Sequence, residues 1–204
     1  MRFILSLVLC AMKKIFFPIL IAALLVVSLV RCTKDRTFPP PPPVDPQGGA
    51  DNIVNGTIRI NEFMAKGSAF YNELDPIPGD NDWLELFNTT NDTIRLVSGE
   101  WYLTDDLADT TMFELPDTLI LPRGFITVHC DEQDTTITQI HSNFKLSSSG
   151  ESVGFYHRSS NAWVVVDEYS FGAQNPGVSM ARIPDGSSNW VISANPTPDA
   201  PNQE

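Results

Sequence analysis

The chain has 204 residues and a formal charge of −12, from 13 Lys plus Arg against 25 Asp plus Glu. Residues 1–31 hold Arg2, Lys13, Lys14 and Arg31, no acid and 24 apolar side chains, so the remainder carries 9 basic and 25 acidic residues, a net of −16. Such a surface repels phosphate backbones and argues against a nucleic-acid partner, and the apolar content left over suits one ordinary domain rather than a large enzyme.

The first predicted element is an export signal. From Met12 the chain reads Met-Lys-Lys, then an apolar run from Ile15 to Val30 broken only by Pro18 and Ser28, then Arg31 and Cys32. A short basic region ahead of an apolar stretch is the pattern of a bacterial signal segment, and this run is shorter than the ~20 residues a membrane-spanning helix needs. Segment 1–31 is therefore expected to be a signal or anchor, with Met12 the translation start and Met1 to Ala11 an upstream extension. The end of the run, Leu29-Val30-Arg31-Cys32, resembles a lipoprotein signal at Leu29 and Cys32 and departs from it at Arg31, where Gly, Ala or Ser is usual. Lipidation is expected at Cys32, and an uncleaved signal anchor is the alternative. Either one tethers the protein to a membrane, at the bacterial outer membrane, the cell surface or a periplasmic face.

Cysteine usage fits that address. Besides Cys10 and Cys32 the chain has only Cys130, which leaves no disulfide framework and no CxxC metal site. Cys130 shares an alternating face with Ile126 and Val128 and reads as a small buried residue rather than a nucleophile.

Residues 32–56 form the second element, a linker with five consecutive prolines (Pro39 to Pro43), Asp45-Pro46 and Gly48-Gly49. A run of this kind favours extended polyproline II at about 3.1 Å per residue, which makes it a spacer.

From Thr57 onward the pattern has period two, in short segments separated by turn residues. Ile58 and Ile60 alternate with polar neighbours, Leu84 and Leu86 alternate with Trp83, Glu85 and Phe87, and Ile94 and Leu96 and then Ile126, Val128 and Cys130 repeat the pattern. Later candidates are 152–157, 163–169, 178–183 and 190–193, with turns at 88–92, 122–124, 147–150, 158–161 and Pro184-Asp185-Gly186. Eight or nine short strands predict an all-β, antiparallel sandwich with one buried face per sheet.

The order of segments is recognisable. Ile-Asn-Glu-Phe (60–63), DWLELFN (82–88), GEWYLTDD (99–106), LPDTLILPRGFITVHCDE (115–132), FKLSSSGESVGFY (144–156), ARIPDGSSNW (181–190) and TPDAPN (197–202) follow one another. Together they resemble the lamin tail domain in its bacterial form, over residues 57–202. The resemblance implies an immunoglobulin-like sandwich, used as an interaction module attached to varied partners, with no catalytic residues common to the family. Two departures stand out: the terminal motif carries Asp199 where Gly is usual, and residues 65–81 form a long acidic insertion. No nuclear or DNA-contacting role carries over, because residues 57–202 hold seven basic against 21 acidic side chains.

Chemistry-bearing residues are few. His129, His141 and His157 have no nucleophile-elbow serine to serve and are expected to be solvated surface side chains. Glu73, Asp75, Asp80 and Asp82 crowd one loop, and Asp105, Asp106 and Asp109 another; these hard oxygen donors make Asp80, Asp82, Asp105 and Asp106 candidate ligands for Ca²⁺, the one cofactor considered. Asp-Thr triplets at Asp92, Asp109, Asp117 and Asp134 are similar to an O-glycan acceptor pattern of some exported proteins. Trp83, Phe87, Trp101, Trp163 and Trp190 are expected mostly in core or edge packing, and any that face solvent could stack on a glycan or anchor a protein.

The expectation is a non-catalytic, membrane-tethered surface or periplasmic module for binding or structure, with a protein or glycan partner and no nucleic acid. The alternative is an accessory subunit of a secreted hydrolase, or a hydrolase itself, using the acidic loops.

Overall fold

The structure is a computed structural model, and it describes residues 56–66, 82–133, 135–136, 138–160 and 162–203. The signal segment 1–31, Cys32, the proline run and the insertion from 67 to 81, with Asp80, lie outside the described residues. All described residues belong to one compact unit, Gly49–Glu204.

Among the described residues every regular element is a β-strand, and two sheets pack face to face. The strands are β1 (Ile58–Met64), β2 (Asp82–Asn88), β3 (Ile94–Leu96), β4 (Trp101–Thr104), β5 (Phe113–Glu114) and β6 (Thr118–Ile120). They continue with β7 (Phe125–Cys130), β8 (Ile140–Ser142), β9 (Glu151–Ser159), β10 (Ala162–Phe171), β11 (Ser179–Arg182) and β12 (Trp190–Ser193). The larger sheet has the order β12-β11-β1-β2-β7-β8, the smaller β10-β9-β4-β5, and β3 and β6 form a separate ribbon. All pairs are antiparallel except β7 with β8. The expected eight or nine strands become twelve among the described residues, because β5, β6 and β8 are two or three residues long and carry no visible alternation.

The core between the sheets is apolar. Ile58, Ile60, Leu84, Leu86, Val128 and Cys130 of the large sheet meet Trp101, Leu103, Val153, Phe155 and Val166 of the small one. Two bulges set which side chains reach it. In β1 the register shifts between Ile60 and Glu62, so Asn61 is the extra residue and Phe63, rather than Glu62, takes the core side. In β10 the shift falls between Val165 and Asp167, which brings Asp167 opposite Phe155 and turns its carboxylate toward the large sheet.

The expectation of one buried face per sheet is corrected at the centre of the large sheet. In β2 every residue from Trp83 to Asn88 is buried, and β1 is buried throughout except at Arg59. The second face is covered by the turn after β11 and by the segment from Asn195 to Asn202, whose contacts are polar and come from more than 100 residues away in sequence. Gly186 allows the turn to lie this close: its φ is +70°, and a Cβ there would sit 2.9 Å from the Thr89 methyl and 3.1 Å from the Phe87 ring.

Candidate functional site

Polar residues from four separate segments of the chain, 60–63, 82–88, 181–190 and 197–202, converge on the covered face of β1 and β2. Glu62 accepts a hydrogen bond from Ser179 Oγ at 2.5 Å and others from the Thr197 backbone N–H at 3.1–3.2 Å. Glu85 accepts from Asn61 Nδ2 at 3.0 Å and from the Asp199 N–H at 2.7 Å. Asn61 also donates to Asp185 Oδ1 at 3.0 Å and accepts from the Gly186 N–H at 2.9 Å. Asn202 closes the cluster, donating from its backbone to Asp185 and from its side chain to the carbonyls of Arg182 and Asn61.

Burial raises the Glu85 carboxyl well above the usual carboxylate range; Asn61 counters this, and the neighbouring charge of Glu62 adds to it. Burial also raises Glu62, against the hydrogen bonds from Ser179 and Thr197. The cluster is a clasp in which Thr197, Asp199 and Asn202 hold the chain terminus on the sheet. Asp199 keeps a φ of +60°, the left-handed conformation that glycine adopts freely, and its carboxylate accepts from Thr127 Oγ1 at 2.8 Å.

A second polar group pins the two sheets together. Asp167 of β10 accepts the Ile60 N–H at 3.0 Å, both of its oxygens take Arg182 Nη2 at 3.0–3.1 Å, and Arg59 adds a contact at 3.2 Å. The Arg182 guanidinium lies 4.3 Å over the Trp190 ring and donates to the Ile60 carbonyl at 2.8 Å. Burial lowers the Arg182 pKa, and the Asp167 charge opposes that shift.

The three histidines are buried, which corrects the expectation of solvated side chains. Parallel pairing of β7 with β8 places His129 opposite His141, with their rings stacked at 4.8 Å. His141 Nδ1 is 3.0 Å from both Asp131 oxygens, and Gln133 Nε2 reaches the same carboxylate at 2.9 Å. His157 packs 4.4 Å from Trp101 in the core layer. Strand membership of His129 and His157 was visible in the sequence; that of His141 in β8, and the covering of all three, was not. Cys130 is fully buried, and burial drives its thiol far above the usual range, which removes the thiolate a nucleophile needs.

Of the acidic candidates, Asp82 opens β2 and accepts the Leu146 N–H at 3.1 Å. Asp106 and Asp109 cap their own loop by accepting the N–H groups of Ala108 and Thr111. Burial raises Asp105, and it raises Glu151 to about 7, where the charges of Asp105 and Asp82 add to the effect. The structure thus brings Asp82 and Asp105 within electrostatic reach of Glu151. Among the described residues no three His, Cys, Asp or Glu side chains assemble around a position for a metal ion.

Trp83, Phe87 and Trp101 are buried, Trp190 is half-buried, and Trp163 is exposed. Sequence reasoning did not anticipate a cleft of about 310 Å³ lined by Thr118, Phe125, Thr127, Thr135, Thr136 and Gln139 among others. It lies between the β6 and β7–β8 regions, and spacing carried no signal for it. Comparison with protein-family models finds no match for this chain. Comparison with curated proteins finds none either.

Proposed function

We propose that the protein is a non-catalytic binding or structural module, tethered to a bacterial envelope membrane through Cys32 and a proline stalk, and built on an immunoglobulin-like sandwich of the lamin-tail kind. The observation that carries this reading is the clasp. Asn61, Glu62, Glu85, Asp185, Thr197 and Asn202 come from four separate segments of the recurring pattern and meet in one internally satisfied cluster. Their chemistry is spent on closing the fold, as is that of Asp82 at the start of β2 and of Asp106 and Asp109 in their loop. The left-handed Asp199 supports the family likeness, since the glycine usual at that point would meet the same conformational demand. The acidic surface and the lipoprotein-like signal support a place outside the inner membrane, with a protein or glycan as partner.

Phase partitioning of the full chain, expressed in a gram-negative host, tests the tether. Wild-type protein is expected in the detergent phase and a Cys32→Ala variant in the aqueous phase. A variant that stays with detergent would remove the lipid anchor from the reading.

A further inference from the structure

The chain has four Asp-Thr pairs of the O-glycan acceptor kind, Asp92-Thr93, Asp109-Thr110, Asp117-Thr118 and Asp134-Thr135, each followed by Ile, Leu or Thr. Attachment of a sugar needs a threonine hydroxyl that is open to an enzyme and not spent in the fold. A carboxylate beside it can be recognised only if it is equally free.

Three of the pairs are committed elsewhere. Asp109 Oδ1 accepts the Thr111 N–H at 3.0 Å and the Thr111 hydroxyl at 2.8 Å, and Thr110 is half-buried. Asp117 accepts the Ser98 N–H at 3.2 Å and lies 3.7 Å from Arg95, while half-buried Thr118 lines the threonine-rich cleft. The Thr135 hydroxyl donates to the His141 carbonyl at 3.0 Å and accepts the His141 N–H at 3.2 Å.

The first pair differs on every count. Asp92 and Thr93 are both exposed, and no hydrogen bond or ion pair among the described residues involves the Asp92 carboxylate or the Thr93 hydroxyl. Their backbone is nevertheless fixed. Buried Asn88 donates from Nδ2 to the Asp92 carbonyl at 2.7 Å and to the carbonyls of Ile120 and Leu121 at 3.2 and 3.0 Å, and Thr90 Oγ1 adds a bond to the Asp92 carbonyl at 3.2 Å. Ile94 then opens β3, paired with Ile120 and packed against the core. The chain is thus tied down on both sides of a threonine whose own side chain is not.

We propose that Thr93 is an O-glycosylation site, read by its transferase through Asp92. Thr93 Oγ1 attacks the anomeric carbon of a saccharide carried on a polyprenyl diphosphate. The new carbon–oxygen bond forms as the bond from that carbon to the diphosphate breaks; the electron pair leaves with the diphosphate, and the hydroxyl proton passes to a base of the transferase. Transfer from such a donor takes place outside the inner membrane, so the proposal rests on the export reading.

The test is mass spectrometry of the full chain purified from the bacterial cells that encode it, with the attachment site read by electron-transfer fragmentation. Wild type is expected to carry a saccharide on Thr93 and none on Thr110, Thr118 or Thr135. Thr93→Val removes the hydroxyl at nearly constant shape and is expected to lose the sugar, whereas Thr93→Ser is expected to keep it. Asp92→Asn leaves the hydroxyl in place and is expected to cut occupancy about tenfold, the scale of one lost hydrogen bond to a charged group. These are exposed side chains without partners in the fold, and protease resistance of each variant checks that folding is unchanged. A bare Thr93 on chain recovered from the membrane would overturn the proposal and leave the export reading standing; a bare Thr93 on chain recovered from the cytosol would overturn both. Sugar mapped to Thr110, Thr118 or Thr135 in place of Thr93, or occupancy indifferent to Asp92→Asn, would equally overturn it.

Discussion

The two faces of the large sheet are buried to a similar degree, the inner one mainly by apolar packing and the outer one by a polar cluster set among Met64, Trp83 and Phe87. The inner face buries Ile60, Leu84, Leu86 and Val128 against the small sheet. The outer face buries Glu62, Glu85 and Asn61 beneath the turn after β11 and the chain terminus. Apolar burial depends on volume and tolerates any shape that fills it, while polar burial depends on every donor meeting its acceptor. The first is therefore expected to be robust to pH and graded in its response to mutation. The second should respond sharply to proton uptake and to the loss of a single partner.

The sharpest break in that contrast is Asp167, the charged group on the inner side. Asp167→Ala leaves the buried Arg182 without its carboxylate and is expected to cost about 3–5 kcal/mol in urea unfolding. A loss below about 1 kcal/mol would mean that Trp190 and the backbone carbonyls hold the guanidinium by themselves. Next comes Leu84→Ala, expected to cost about 2–5 kcal/mol with no change in the pH profile, since only packing is removed.

The third prediction concerns pH. Glu62, Glu85 and Glu151 all have native pKa values above the ordinary 4.5, so the native state holds their protons more tightly than the unfolded chain does. Their contribution is fully present below about pH 4.5 and is lost as pH rises through the native values, with Glu151 titrating near 7. The melting temperature is accordingly expected to fall between about pH 5 and about pH 8, and Glu85→Gln should flatten that slope. A wild-type profile that rises over this range would show that the clasp carboxylates are held ionised without cost.

The smallest effect is expected at Asp199. Replacement by Gly relieves the left-handed backbone but loses the bond from Thr127, so the net change should lie within about 0.5 kcal/mol. Asp199→Ala keeps the strain and loses the bond, and is expected to cost about 1–2 kcal/mol.

This contrast also marks what could be read in advance. The strands β2, β7 and β9 were legible because their alternation runs for six residues or more, and the burial of Cys130 followed from its place beside Ile126 and Val128. The second buried face was not legible. Glu62 and Glu85 look like ordinary outward side chains, and their cover arrives from Thr197 and Asp199, 135 and 114 positions later. The histidines failed for the same reason, since solvation is decided by neighbours that period two does not encode. The one local hint was Glu85 itself, a lone acid inside Trp-Leu-Glu-Leu-Phe, where a solvent-facing position would not need large apolar side chains on the same side.

The clasp also sets an order of assembly. β1 and β2 are among the earliest parts of the domain to be made, yet the donors that satisfy Glu62 and Glu85 lie at Thr197 and Asp199. A growing chain that has not reached those residues can collapse its inner face but not its outer one. Closure of the outer face therefore waits for Thr197 and Asp199.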